Sequence, residues 1–248
     1  MKFSTHHLTL KIHKKILCEN LNLCLNRGQM LGVLGPNGSG KTTLLQTLAG
    51  LVPSYKGEIY LQNKLLQTFK GKTRAKHIGI LFQQHYHYFS DTVFEFCSQG
   101  RYPHLNYFSW YPNEKMIDDI LISMDLIKLK NQKVDALSGG EKKRLEIATL
   151  LLQDPQIFLL DEPTNHLDLR YKIKILKHFQ QLKTDKIIVL ATHDIDIAEQ
   201  FCDQILMLFP NGQYLLGDTH SIMTTEHLSL LYEHPMLKLY PKGFAPIY

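Results

Sequence analysis

The sequence predicts an α/β fold with a mainly parallel sheet, an N-terminal antiparallel β subdomain and an inserted helical subdomain. Two short apolar runs, IFLLDEP and IIVLATHD, are rich in branched residues and end in polar ones, as strands buried in a parallel sheet do. A third run, MLGVLG, leads into a glycine-rich loop and then into TTLLQTLAGL, whose leucines recur at helical spacing. This succession of strand, loop and helix indicates the α/β class.

The remaining elements follow from spacing and from Gly and Pro. Leucines alternate with Asn and Cys over residues 21–26, which is the period of a half-buried strand. An apolar stripe at helical spacing favours a mainly helical middle: Met116, Ile117, Ile120, Leu121 and Met124. We therefore divide a single domain into a core with its β subdomain (1–91 and 154–220), a helical subdomain (92–153) and a helical tail (221–248).

The composition allows a substantial core and excludes several classes of protein. Of the 248 residues, 44% are hydrophobic, yet no apolar run approaches the length of about 18 residues that a bilayer-spanning helix requires. The start, MKFSTHHLTLKIHKK, has no apolar signal core, so we expect a cytosolic location. The four cysteines lack CxxC spacing, and the net charge of +5 is dispersed among acidic residues. Zinc sites, disulfides and nucleic-acid binding are therefore disfavoured.

The string GPNGSGKT has the form of a phosphate-binding loop. Its glycines allow backbone N–H groups to surround phosphate oxygens, and the following helix adds the positive end of its dipole. Lys41 supplies a charge for the terminal phosphates, and the Thr42 hydroxyl suits Mg²⁺. We expect a nucleotide to contact the residues of this loop: Gly35, Pro36, Asn37, Gly38, Ser39, Gly40, Lys41, Thr42 and Thr43.

Two carboxylates end the strand predicted from IFLLDEP. Asp161 is placed to hold Mg²⁺ directly or through water, and Glu162 to face an attacking water. The run IIVLATHD brings His193 to a strand end, where an imidazole can hydrogen-bond the γ-phosphate and orient the attack. Each feature alone is common in ordinary strands. Their combination with the upstream loop predicts hydrolysis of a nucleoside triphosphate.

A second phosphate-binding feature lies in LSGGE. Ser138, Gly139 and Gly140 precede KKRLEIATLLL, which has helical spacing, so another helix N-terminus is available to an anion. A bound γ-phosphate needs only one such phosphate cradle, a glycine-rich segment at a helix N-terminus, within a monomer. The second cradle is explained if it completes the site of a neighbouring subunit, which predicts a head-to-tail homodimer.

Five features together resemble the ABC ATPases in order and spacing, over almost the whole chain. They are GPNGSGKT, LSGGE, IFLLDE, the turn from Asn165 to Asp168 and the ATHD histidine. The resemblance implies a P-loop NTPase core that binds ATP and Mg²⁺. It implies that Ser138 and Gly140 contact the nucleotide of the opposite subunit in an ATP-bound homodimer. It also implies that Asp168 senses that subunit and that Glu162 is the general base.

The resemblance further implies a glutamine that touches Mg²⁺ and couples hydrolysis to the membrane partner. Gln83 and Gln84 in LFQQ are both candidates, and we choose Gln83 because it directly follows the strand-like IGILF. The expected metal ligands are Thr42, Gln83 and Asp161. The expected catalytic residues are Glu162, His193 and Gln83.

Two stretches, GRYPHL and the tail YLLGDTHSIMTTEHLSLLY, are similar to importer ATPases for chelated metals. That subfamily serves iron-siderophore, haem and cobalamin uptake, and related ATPases serve zinc or manganese. It implies transmembrane permease subunits, an indirect solute-binding protein and a peripheral position on the cytoplasmic face of the inner membrane. Aromatic residues lie where this family docks onto its permease, although subdomain packing is an alternative role for some of them: Tyr102, Tyr107, Phe108, Trp110 and Tyr111.

The chain departs from the family pattern at two positions. Ile12, with His13 beside it, replaces the aromatic ring that usually stacks on adenine, which leaves the preference for ATP over GTP open. Lys172 replaces a glutamine common after the Asp168 turn. A soluble ABC ATPase that assists iron–sulfur cluster assembly would share these catalytic residues and stays an alternative. DNA-repair and translation-factor relatives are disfavoured, because they require a long coiled-coil insertion or two cassettes per chain.

Overall fold

The computed structural model of the chain describes residues 1–83, 91–105, 113–238 and 244–246. The described strands are β1 (Lys2–Ile12), β2 (Lys15–Asn26), β3 (Met30–Leu34), β4 (Lys56–Leu61), β5 (Lys64–Leu65), β6 (Ile78–Leu81), β7 (Ile157–Asp161), β8 (Ile187–Ala191), β9 (Gln204–Leu208), β10 (Tyr214–Asp218), β11 (Met236–Lys238) and β12 (Phe244–Pro246). The described α-helices are α1 (Lys41–Leu48), α2 (Gly71–His77), α3 (Val93–Ser98), α4 (Glu114–Ser123), α5 (Gly139–Gln153), α6 (Leu169–Leu182), α7 (Ile195–Phe201), α8 (Thr219–Ile222) and α9 (Thr225–Tyr232).

Six of the described strands form the central sheet, in the order β10-β9-β3-β8-β7-β6. All neighbours pair in parallel except β9 and β10, which form an antiparallel hairpin at one edge. The predicted α/β class with a mainly parallel sheet is confirmed. Because β3, β7 and β8 are parallel, the loops that follow them leave the same edge of the sheet, where α/β proteins bind their ligands.

A separate antiparallel sheet has the order β2-β1-β4-β5, as expected for the N-terminal β subdomain. Leu21, Leu23 and Leu25 of β2 are buried, in agreement with their alternation in the sequence. They belong to the same apolar cluster as Leu44 and Leu48 of α1. This sheet therefore packs over the helix that follows the glycine-rich loop and helps to hold that loop in place.

The middle strands of the central sheet are buried on both faces. Every residue of β3, β7 and β8 is buried, which explains why these strands read as continuous apolar runs. Along β7, Phe158 and Leu160 face one apolar cluster, whereas Ile157 and Leu159 face the other. The first cluster contains residues of α5 and α6, and the second contains residues of α1. The strand end at Asp161 is thereby fixed from both sides.

The described α-helices between β6 and β7 are α3, α4 and α5, and the first two pack against α5. Of the predicted apolar stripe, Ile117, Leu121 and Met124 are buried, whereas Met116 is exposed. Gln84 and four of the aromatic candidates (Tyr107, Phe108, Trp110 and Tyr111) lie outside the described residues. The subdomain boundaries at 92 and 153 stay a prediction.

The C-terminal segment is helical only in part. Leu228 and Leu231 of α9 are buried in the core, as expected for helices that pack on the sheet. The expected helical tail over 221–248 is wrong beyond α9, because β11 and β12 pair there as antiparallel strands. Pro235 stands directly before β11 and cannot continue a helix. Within the described ranges, every helix is too short or too polar to cross a bilayer.

Candidate nucleotide-binding site

The glycine-rich loop connects β3 to α1. Gly40 caps α1 with a φ of +105°, a conformation that strains any residue with a Cβ atom. Over the described length of α1, the first turn carries no acidic side chain and its N-cap provides no side-chain hydrogen bond. The first backbone N–H groups of α1 therefore point into the loop without a capping side chain, which favours an anion there.

Lys41 lies over this loop and is only 8% exposed. Its Nζ donates to the carbonyl oxygens of Gly35 at 2.7 Å and Pro36 at 3.2 Å. Burial lowers the pKa of Lys41, whereas the charges of Glu162 and Asp161 raise it. The ammonium group is thus held at the place where the terminal phosphates of a nucleotide would bring negative charge.

Thr42 and Asp161 join the loop to the end of β7. The Thr42 hydroxyl donates to Asp161 Oδ2 at 2.6 Å, and Asp161 is 2% exposed. Burial raises the pKa of Asp161, whereas the Thr42 hydrogen bond and the charges of Lys41 and Lys143 lower it. Hydroxyl, carboxylate and amide oxygens are ligands that Mg²⁺ accepts. With Gln83 beside the same pocket, the donors present here fit that ion.

Glu162 follows β7 in a left-handed backbone conformation, with a φ of +48° that is uncommon outside glycine. Its N–H donates to the Ala191 carbonyl at 3.0 Å, so the end of β8 fixes this backbone. His193 Nδ1 donates to Glu162 Oε1 at 2.9 Å. Glu162 Oε2 is buried without a hydrogen-bond partner in the described part of the chain. One carboxylate oxygen is therefore held in place, and the hydrogen-bonding capacity of the other is unused.

Most of the expected residues meet at one pocket of about 190 Å³, whereas Gly35, Pro36, Ser39 and His193 do not line it. It is lined by Ile12, Leu17, Asn37, Gly38, Gly40, Lys41, Thr42, Thr43, Gln83, Asp161 and Glu162. Gln83 thus lies with the other two expected metal ligands, although its role stays a prediction. Ile12 and Leu17 give the pocket an aliphatic side, and among the described lining residues there is no aromatic ring.

The predicted second cradle begins α5. Ser138 Oγ accepts from the Glu141 N–H at 3.3 Å and the Ser138 N–H donates to Glu141 Oε2 at 2.8 Å, forming a capping box. The Ser138 hydroxyl also donates to Glu141 Oε2, at 2.7 Å. These hydrogen bonds lower the pKa of Glu141. Ser138 and Gly139 are exposed. Neither they nor Gly140 are among the described residues that line the pocket. The fold therefore keeps the two predicted phosphate cradles apart within one chain.

Two residues near the pocket were not predicted from the sequence. Leu17 lines the aliphatic side of the pocket with Ile12. It lies in β2, but the regular alternation of leucines in that strand begins only at Leu21. Lys143 is buried in α5 and donates from Nζ to the Phe82 carbonyl at 3.0 Å. In the sequence, the signal for an inward-facing Lys143 is its position four residues before Ile147, which is buried, because residues four apart lie on the same face of a helix.

Comparison with known proteins places these features in a family. The family model described as ABC transporter matches residues 18–165. The chain is 33% identical over 229 residues to the ferric enterobactin transport ATP-binding protein FepC of Escherichia coli (strain K12), covering 91% of this chain and 84% of FepC. It is 37% identical over 201 residues to the ABC transporter ATP-binding protein YvrA of Bacillus subtilis (strain 168), covering 79% of this chain and only 45% of YvrA.

A solved structure agrees with this assignment. It is described as a metal-chelate type ABC transporter in an inward-facing conformation and superposes with a TM-score of 0.83 at 27% identity, covering 99% of this chain and 97% of that chain. The family match includes the glycine-rich loop, LSGGE and the Asp161–Glu162 pair, which are the features that the fold arranges around the pocket and at the start of α5. The chain therefore belongs to the ABC transporter family of ATP-binding proteins and is the ATPase subunit of an ABC transporter.

Proposed function

We propose that this chain energises the import of a metal chelate, such as an iron-siderophore, haem or cobalamin, through a membrane-embedded permease. The observation that carries the proposal is the likeness to FepC, which is named for ferric enterobactin transport and which the chain matches over 91% of its own length. On this account the chain is a peripheral protein at the cytoplasmic face of the inner membrane. It reaches a solute-binding protein only through the permease.

Hydrolysis is assigned to Glu162 as the general base. The unpartnered Glu162 Oε2 accepts a proton from the water that attacks the γ-phosphorus, and His193 keeps Oε1 in place from 2.9 Å. Lys41 and the backbone N–H groups of the loop stabilise the charge that develops on the phosphoryl oxygens. Mg²⁺, when held by Thr42, Gln83 and Asp161, would neutralise charge between the phosphates.

The ATP-bound state is proposed to be a homodimer in which each chain completes the site of the other. Ser138 and Gly139 are exposed and do not line their own chain's pocket, so they are free to meet the nucleotide of a second copy. Asp168 caps α6 by accepting from the Tyr171 N–H at 3.0 Å, and the adjacent Leu169 is 72% exposed.

The GRYPHL segment is proposed to face the permease. Arg101 Nη1 donates to the Leu152 carbonyl at 3.1 Å, and His104 Nε2 lies 2.8 Å from the Gln153 carbonyl. Both contacts attach the segment to the C-terminal end of α5, where unpaired carbonyls need partners. Tyr102, between these two anchors, is left 57% exposed. A rigidly presented tyrosine of this kind is a frequent centre of binding energy in protein interfaces.

We expect Tyr102→Ala to reduce the recovery of permease with the chain by at least about fivefold, since central interface tyrosines contribute more than 1 kcal/mol. The ATPase activity of the isolated chain should be unaffected, because Tyr102 does not line the nucleotide pocket. Tyr55→Ala is the matched control, since Tyr55 is similarly exposed (54%) but lies next to the β subdomain. Equal recovery of permease by both variants would remove Tyr102 from the docking surface.

The proposed function is tested by affinity capture of a tagged Glu162→Gln chain from detergent-solubilised native membranes in the presence of ATP. Recovery of a polytopic permease is the expected result, and the sequence of that permease would narrow the solute between metal chelates and zinc or manganese. Recovery of soluble partners alone would contradict transport and favour the second candidate, an ATPase that assists iron–sulfur cluster assembly.

The aliphatic side of the pocket predicts weak discrimination between nucleobases. Ile12 and Leu17 offer dispersion contacts without a ring for stacking, so ATP and GTP should bind with similar dissociation constants. Ile12→Tyr should tighten ATP binding by about two- to tenfold, the range expected for an added stacking contact. Equilibrium titration of the unchanged chain and of Ile12→Tyr with ATP and with GTP checks this expectation. A strong preference of the unchanged chain for ATP would contradict it.

A further inference from the structure

Lys143 is a buried cation that the mechanism above does not use. It lies in α5 about 6 Å along the helix axis from Gly139, at the helical rise of 1.5 Å per residue. The side chain is 1% exposed, and its Nζ is 3.0 Å from the Phe82 carbonyl and 3.6 Å from Glu146 Oε2. Burial lowers the pKa of Lys143, whereas the nearby charges, led by Glu146, raise it.

Packing alone does not account for a lysine here. Burying an ammonium group costs several kcal/mol in free energy unless well-placed partners offset that cost. A protein with an apolar side chain of similar volume at such a position is often equally stable or more stable. The adjacent Arg144 is also buried, but its guanidinium donates to the Met124 and Asp125 carbonyls. Contacts of α5 to the core are supplied by its buried apolar residues, which include Leu145, Ile147 and Ala148. The charge at residue 143 therefore calls for a role that an apolar residue could not fill.

The contact partner indicates that role. Phe82 comes directly before Gln83, which lines the nucleotide pocket with Thr42 and Asp161. Lys143 thus connects the helix that presents Ser138 to the segment that presents Gln83 to the nucleotide. A rotation of α5 towards or away from the sheet would move both elements together.

We propose that Lys143 is a positioning residue that couples the placement of Gln83 at the nucleotide to the orientation of the Ser138 helix start. Occupation of the pocket in one chain then sets α5 for contact with the nucleotide of the second chain. The proposal rests on the proposed ATP-bound homodimer. It predicts that breaking the Lys143–Phe82 contact impairs dimerisation more than it impairs ATP binding.

The test compares Lys143→Met with the control Lys128→Met, both in the Glu162→Gln background that retains ATP. Methionine fills a volume similar to that of lysine without donating a hydrogen bond, and Lys128 is an exposed lysine before α5. ATP affinity is measured by fluorescence on dilute monomer, and dimerisation in saturating MgATP by light scattering. We expect Lys143→Met to keep ATP affinity within about twofold and to weaken dimerisation by about tenfold, a typical coupling between two sites. Lys128→Met should match the parent.

Lys143→Gln separates coupling from packing, because glutamine keeps an N–H donor whereas methionine better preserves apolar packing. Coupling predicts stronger dimerisation for Lys143→Gln than for Lys143→Met, and a purely structural role predicts the reverse order. If the methionine variant does not fold, parent-like dimerisation of Lys143→Gln supports the proposal, and a parallel loss of ATP affinity and dimerisation in Lys143→Gln overturns it.

Three further results would overturn the inference. Parent-like dimerisation of Lys143→Met would show that the contact transmits nothing. A parallel loss of ATP affinity and thermal stability in that variant would show a structural role only. Failure of the parent itself to dimerise with ATP would contradict the proposed homodimer, and the inference with it.

Discussion

Replacing Glu162 by glutamine is expected to lower the rate of ATP hydrolysis by on the order of 10² or more, the usual effect of removing a general base. Glutamine preserves the shape of the side chain, but its amide nitrogen cannot accept a proton from water. ATP affinity should be retained, because Lys41 and the glycine-rich loop are unchanged. Single-turnover hydrolysis, measured beside equilibrium binding of ATP, separates the two effects.

Glu226→Gln provides the control for this experiment. Glu226 is exposed in the first turn of α9, so the same chemical change is made away from the pocket. Its hydrolysis rate should equal that of the unchanged chain. Undiminished turnover in Glu162→Gln would refute the assignment of the general base and leave the unpartnered Oε2 atom unexplained.

Replacing Lys41 by methionine is expected to weaken MgATP binding by at least about tenfold, because a hydrogen bond to a charged group contributes about 1.5–3 kcal/mol. Hydrolysis should fall further, on the order of 10² to 10³, since the ammonium group also stabilises charge that develops as the γ-phosphoryl group transfers. Calorimetric titration gives the affinity, and hydrolysis at saturating ATP gives the rate.

Lys64→Met, at an exposed position of β5, is the matched loss of one positive charge. It should change neither affinity nor rate, because Lys64 lies outside the residues that line the pocket. If Lys41→Met bound ATP as tightly as this control, the loop from Gly35 to Thr43 could not be the principal phosphate site.

Much of the core was predictable because burial on both faces leaves a simple signal. Strands β3, β7 and β8 of the central sheet are apolar runs, and Asp161 is recognisable as the polar residue that ends one of them. The parallel pairing of β7 with β8 then places Asp161 opposite Ala191, two residues before His193. Local pattern and topology together therefore account for the way the catalytic candidates meet.

Other features depend on contacts that no local pattern reports. The hydrogen bond between Lys143 and the Phe82 carbonyl joins residues that are 61 positions apart in the sequence. From the sequence alone, a lysine within EKKR resembles an ordinary solvent-exposed residue. The left-handed backbone of Glu162 is set by its hydrogen bond to Ala191 rather than by its own preference. The short strands after α9 depend on pairing with each other, which the helical spacing up to Tyr232 does not foreshadow.

If a second copy of the chain completes each ATP site, the mass of the Glu162→Gln chain must change when MgATP is saturating. Light scattering should give the mass of one chain without nucleotide and twice that mass with ATP, with one nucleotide retained per chain. A species that binds ATP fully and still has the mass of a single chain at high protein concentration would contradict the shared site.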